Sequence, residues 1–100
     1  MAETASPNGG APLFRLGRVV ATPSALAALE LAGTLPKALL DRHARGDWGE
    51  VIADDRELND WGLFAGERLL SAYALPDGVR VWIITEADRS ATTLLLPQDY

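Results

Sequence analysis

The chain of 100 residues has no cysteine, one histidine and one methionine. The lack of cysteine excludes a disulfide framework, a thiolate zinc site and a sulfur nucleophile. A lone histidine among scattered carboxylates shows no ligand spacing, so neither a metal nor a cofactor is expected. No apolar run approaches the ~20 residues a membrane helix requires, and Met1 to Pro12 lacks the basic and apolar regions of a secretory signal. The chain therefore reads as soluble and cytoplasmic. Phosphate-cradling glycine loops, a Gly-x-Ser-x-Gly elbow and a dinucleotide fingerprint are also missing. Cations are outnumbered, 9 Lys and Arg against 14 Asp and Glu, for a net charge of -5. That balance argues against binding bulk nucleic acid, where affinity comes from neutralised phosphates.

What remains is a globular composition, 48% hydrophobic and 23% charged, enough for one domain with one modest core. Residues 1–12 are rich in Ala, Gly, Pro, Ser and Asn and read as a flexible leader. Residues 13–100 read as a single α+β domain. Its first strand is expected within Leu13 to Val20, with an irregularity at Gly17. Thr22-Pro23-Ser24 starts a helix through a hydroxyl N-cap followed by proline, with Leu26, Leu29 and Ala32 as its stripe and Gly33 as its stop. Thr34-Leu35-Pro36 repeats this grammar for a second helix carrying Leu39 and Leu40 and ending at Gly46.

Asp47-Trp48-Gly49-Glu50 has the spacing of a capping box. A third helix is expected from there to Gly66, burying Val51, Leu58, Trp61 and Ala65, with a break near Ala53-Asp54 as the alternative. Beyond Gly66 the apolar period becomes that of strands: Arg68 to Leu75, Val79 to Glu86 and Ala91 to Leu96. Asp77-Gly78 signals a hairpin between the first two. The fold class is thus a short N-terminal strand, two to three helices, then a C-terminal three-stranded antiparallel meander packed on the helices.

A two-residue Asp77-Gly78 turn places Ala74 opposite Val81, Ala72 opposite Ile83 and Leu70 opposite Thr85 on one face. Tyr73 then faces Trp82, and Ser71 faces Ile84, on the other. Two readings stand for Tyr73, Trp82 and Ile84. Either other segments cover them, or they form an exposed aromatic patch through which a protein partner or a second copy binds. A free sheet edge offers a further route to a homo-oligomer.

His43 ends the apolar stripe of the second helix, where an imidazole caps terminal carbonyls and meets the negative end of the dipole. Arg42 and Arg45 flank it. With Arg68 and Arg89 they make candidate binding positions for one phosphate or an acidic partner. Trp48, Tyr73, Trp82 and Glu86 complete the candidate binding residues. A catalytic alternative uses His43, Arg89 and Thr92, with Glu86 as acid/base partner, and requires them to converge in one cleft.

Four strings also carry a resemblance: Leu16-Gly17-Arg18-Val19-Val20-Ala21-Thr22-Pro23, Arg42-His43-Ala44-Arg45-Gly46-Asp47-Trp48-Gly49, Arg68-Leu69-Leu70-Ser71-Ala72-Tyr73, and the run from Trp82 to Pro97. They resemble a widespread family of small bacterial proteins found on plasmids, prophages and integrative elements, some labelled type I restriction methylase subunits. The resemblance implies an accessory protein of a mobile element that binds a protein partner and modulates a host defence or restriction system. The order of elements is also similar to that of RelE/barnase-like small ribonucleases, which implies the alternative, a metal-independent ribonuclease using His43 and Arg89.

Overall fold

A computed structural model of the chain describes residues 11–100. The leader expected over residues 1–12 lies, up to residue 10, outside the described residues. Strand β1 spans Arg18–Ala21, followed by helices α1 (Pro23–Leu31), α2 (Pro36–Ala44) and α3 (Ala53–Ala65). Strands β2 (Leu69–Ala74), β3 (Arg80–Thr85) and β4 (Ala91–Leu95) and a 3-10 turn (Pro97–Asp99) complete the α+β fold. The sheet order is β1-β4-β3-β2. The meander β2-β3-β4 is antiparallel, and β1 joins β4 in parallel, so the four-stranded sheet is mixed.

The first helix starts as its sequence dictates. Thr22 is the N-cap, its hydroxyl accepting from the Ala25 N–H, and Pro23 occupies the first turn. Its buried stripe is Ala25 and Leu29, while Leu26 lies on the exposed side. Asp99 then ties this helix start to the far end of the chain, accepting from the Thr22 hydroxyl (2.7 Å), the Ser24 hydroxyl (2.6 Å) and the Leu96 N–H (2.9 Å). Those three donors hold the Asp99 carboxyl below the usual carboxylate range.

Three local expectations are corrected. The first strand begins at Arg18, and the segment before it is irregular. Asp47 does not open a helix. Its carboxylate accepts from Arg42 (2.7 Å to Nε), and residues 47–50 run beside β2, where the Ala72 N–H donates to the Trp48 carbonyl and the Glu50 N–H to the Ala72 carbonyl. Gly49, at φ +75°, makes that approach; a Cβ there would collide with the Ala72 carbonyl oxygen. The third helix begins instead at Ala53, after Ile52, with Asp54 and Asp55 in its first turn.

The hairpin register also differs by one residue. Ala74 pairs with Arg80, Tyr73 with Val81, Ala72 with Trp82, Ser71 with Ile83 and Leu70 with Ile84. The physical cause is the turn. Leu75 N–H bonds to Val79 C=O, and Gly78, at φ +88°, donates to Leu75 C=O, so the loop is Pro76-Asp77-Gly78 rather than Asp77-Gly78 alone. One added loop residue moves every cross-strand partner by one. Tyr73, Val81, Ile83 and Leu94 consequently share the inner face with Ala25, Leu29 and Leu39 of the first two helices, and that is the core.

Candidate functional site

Polar residues interrupt the inner face at one place. Ser71, Thr85 and Thr92 point inward from β2, β3 and β4, and α2 delivers His43 onto them; all four side chains are fully buried. His43 Nδ1 lies 2.5 Å from Ser71 Oγ and Nε2 lies 2.9 Å from Thr85 Oγ1. Thr85 Oγ1 is 2.7 Å from Thr92 Oγ1, whose hydroxyl donates to the Leu16 carbonyl at 2.7 Å.

The proton order follows from the last bond. Because Thr92 spends its only proton on Leu16, Thr85 must donate to Thr92 and accept from His43 Nε2–H. His43 Nδ1 is then an acceptor, served by the Ser71 hydroxyl. The ring is neutral: burial, and secondarily the charge of Arg89, lower its pKa to about 4. Phe14 meets it edge-on at 5.2 Å and Trp48 at 5.7 Å between ring centroids, closing the sides. Among the described residues, no buried side-chain nitrogen or oxygen lacks a partner.

His43 is therefore a core histidine joining three strands rather than a helix cap. Thr92 is connected to it through Thr85. Arg89 is not aimed at the imidazole: its guanidinium donates to the carbonyls of Glu67 (2.6 Å), Gly62, Glu86 and Ala87. Arg89 itself adopts φ +61°, the only non-glycine left-handed residue among those described. It ties the end of α3 to the β3-β4 loop and lies 5.6 Å over Phe14. Glu86 enters this arrangement through its backbone, accepting from Arg89 at its carbonyl, while its side chain is exposed.

Of the other arginines, Arg42 and Arg68 each bond a side chain of their own. Arg42 makes a two-pronged pair with Asp47 and sits 4.6 Å over the Tyr73 ring, which holds the Asp47 carboxyl down and raises the guanidinium. Arg45 adds a weaker pull on Asp47. Tyr73 is buried, its hydroxyl donating to the Asp47 carbonyl at 2.6 Å, and burial pushes its phenol up to about 12. Trp48 is buried too, with its indole N–H on Asp60 (2.9 Å). Arg68 belongs to another region, donating to the Tyr100 hydroxyl at 2.9 Å.

That region is the outer side of the sheet. Leu70, Trp82 and Ile84 floor a groove of about 320 Å³, walled by Leu58 and Asp55 of α3 and by Tyr100, which meets Trp82 edge-on at 5.8 Å. Beyond Leu58 the apolar surface continues over α3. Its expected buried stripe is reversed: Asn59 and Gly62 face the protein, whereas Leu58, Trp61 and Phe64 face outward at 62%, 58% and 92% exposure. The reason is Asn59. Its amide donates to the Leu70 carbonyl (2.7 Å) and accepts from the Leu70 N–H (3.0 Å), satisfying the outer edge of β2 as a neighbouring strand would.

Sequence reasoning missed Ser71, Thr85, Asn59, Leu58 and Tyr100. The available signal for the first two was polar residues at alternating positions of otherwise apolar strands, together with a single histidine. Among the described residues, no three His, Cys, Asp or Glu side chains gather as a metal site, and no helix is long and apolar enough to cross a membrane. Scans against protein-family models, curated proteins and solved structures give no match to this chain.

Proposed function

We propose that this chain is an interaction module that binds a protein partner through the outer groove and the adjoining surface of α3. The observation that carries this reading is the distribution of unsatisfied surface. Large apolar side chains stand outside at Leu58, Trp61 and Phe64, whereas the candidate catalytic groups His43 and Thr92 are sealed and fully hydrogen-bonded. Exposed aromatic and aliphatic groups beside a groove are what a protein interface uses as anchors. A general base, by contrast, needs reach to a substrate proton. Modulation of a host defence or restriction system on a mobile element remains part of the proposal, supported by the sequence resemblance.

The test compares the tagged wild-type chain with Leu58→Asp and Trp82→Ala in affinity capture from the native host, alongside an RNA-cleavage assay of the same preparations. Loss of one specific protein from both variants, with no RNA cleavage by any of them, is the expected result. RNA cleavage by the wild type that disappears in His43→Gln, with no partner recovered, would replace this reading with the ribonuclease one.

A further inference from the structure

The groove has a composition that selects among partners. Its floor and one wall are apolar, yet its α3 side is acidic: Asp55 lines the groove, and Asp54 and Glu57 border the shallow hollow that Leu58 and Trp61 form on the other side of the same ridge. Arg68 is the one cation lining the groove among the described residues, and it is engaged with Tyr100, both through the phenol oxygen and over the ring at 5.3 Å. An incoming surface thus meets an apolar slot whose α3 side carries Asp54, Asp55 and Glu57, with Arg68, still charged and held on Tyr100, as the counter-charge lining the groove.

Two classes of occupant fit poorly. An extended peptide binds by adding a strand to a free edge. Here the outward backbone groups of Leu70 are held by Asn59, and those of Ala72 by Trp48 and Glu50. A second copy of the chain would bring the same carboxylates, and a net charge of -5, against its twin. A helix seated through side chains needs no backbone pairing, and a basic one complements the acidic ridge.

Resting on the interaction reading above, we propose that the groove receives a basic amphipathic helix of a partner protein. One large apolar side chain of that helix seats on Leu70, Trp82 and Ile84, and its Lys or Arg side chains lie along Asp54, Asp55 and Glu57. Leu58 separates the apolar slot from the outer hollow and so touches the helix from below.

The test is a titration of the full chain with two synthetic amphipathic helical peptides, one of leucine and lysine, the other of leucine and glutamate. Tryptophan emission is the readout, because Trp61 is exposed and Trp82 lines the groove. The lysine peptide is expected to bind saturably and one to one, and the glutamate peptide not at all. Leu58→Gln and Asp55→Asn should each weaken the lysine peptide about tenfold, and so should raising salt from roughly 50 mM to roughly 500 mM. Equal binding of both peptides, or lysine-peptide binding indifferent to Leu58→Gln, would overturn the proposal. So would no binding of either peptide. In that last case, partner capture still lost in Leu58→Asp leaves the interaction reading standing, whereas capture unchanged there removes both.

Discussion

The inner face of the sheet holds Ser71, Thr85 and Thr92 around a neutral histidine, whereas the outer side presents Leu58 and Trp82 in a groove, with Trp61 and Phe64 exposed farther along α3. A polar cluster is thus set inside an otherwise apolar core and fully paired, while several large apolar side chains stand exposed outside. The difference teaches where each kind of residue is required. A buried hydroxyl or imidazole persists only if every donor meets an acceptor, so the inner cluster is a structural commitment of three strands and one helix. An exposed indole or phenyl ring costs the fold little and is available to another molecule.

The strongest way to break this contrast is to remove the imidazole. His43→Ala opens a cavity, strands the Ser71 hydroxyl and removes one of the two partners of Thr85, and should cost about 3–5 kcal/mol of stability, read as the urea midpoint at constant m-value. A loss as small as that of an exposed substitution would mean the inner cluster is not a unit.

Acid titration tests the same cluster without mutation. The folded-state pKa of His43 is lowered to about 4 from an ordinary value of 6.5. The unfolded chain therefore takes up the proton more readily between those values, so stability is full above pH 6.5 and falls as pH drops toward 4. The shift corresponds to about 3 kcal/mol. Urea midpoints measured across that window should show this decline in the wild type and its absence in His43→Gln. Losses due to Asp47 and Asp99, whose carboxyls are held low, follow only at still lower pH.

The boundary between the two regions is Asn59. Asn59→Ala frees the Leu70 N–H and C=O at the β2 edge and should cost about 1–3 kcal/mol. It should also produce concentration-dependent association by light scattering, because an open edge pairs with other chains. The smallest effect is expected outside. Leu58→Gln should change the unfolding free energy by less than about 0.5 kcal/mol while weakening partner binding, which separates surface from core in one variant.

The helix starts were legible because their signals are local. Thr22 capped α1 through its hydroxyl and Pro23 and Pro36 opened α1 and α2, although α2 is capped at Leu35 with no side-chain bond rather than by the expected Thr34 hydroxyl. The three C-terminal strands were legible from their alternation. What misled was a local signal with a stronger distant competitor. Asp47-Trp48-Gly49-Glu50 fits a capping box, yet Arg42 takes the carboxylate and the free edge of β2 takes the backbone. Likewise Leu58, Trp61 and Ala65 fit a buried stripe, and the need to close that same edge turned Asn59 inward instead. The candidate residues His43 and Thr92 were legible as unusual. Their linkage through Thr85 was not, because it needs α2 docked on the sheet and β3 paired with β4, contacts between segments far apart in the chain.

By itself the sequence determined the α+β class, the order of its elements, the absence of sulfur chemistry and an acidic balance of -5. Those properties follow from composition, period and caps, which act within a few residues. Only the tertiary structure decided that the one histidine is sealed in the core, that Arg42, Arg68 and Arg89 are held by different partners and that α3 turns its apolar side outward. Each of these depends on contacts between segments tens of residues apart, such as Thr92 with Leu16 or Asn59 with Leu70, where pairing buried backbone and hydroxyl groups outweighs the local preference of any one helix.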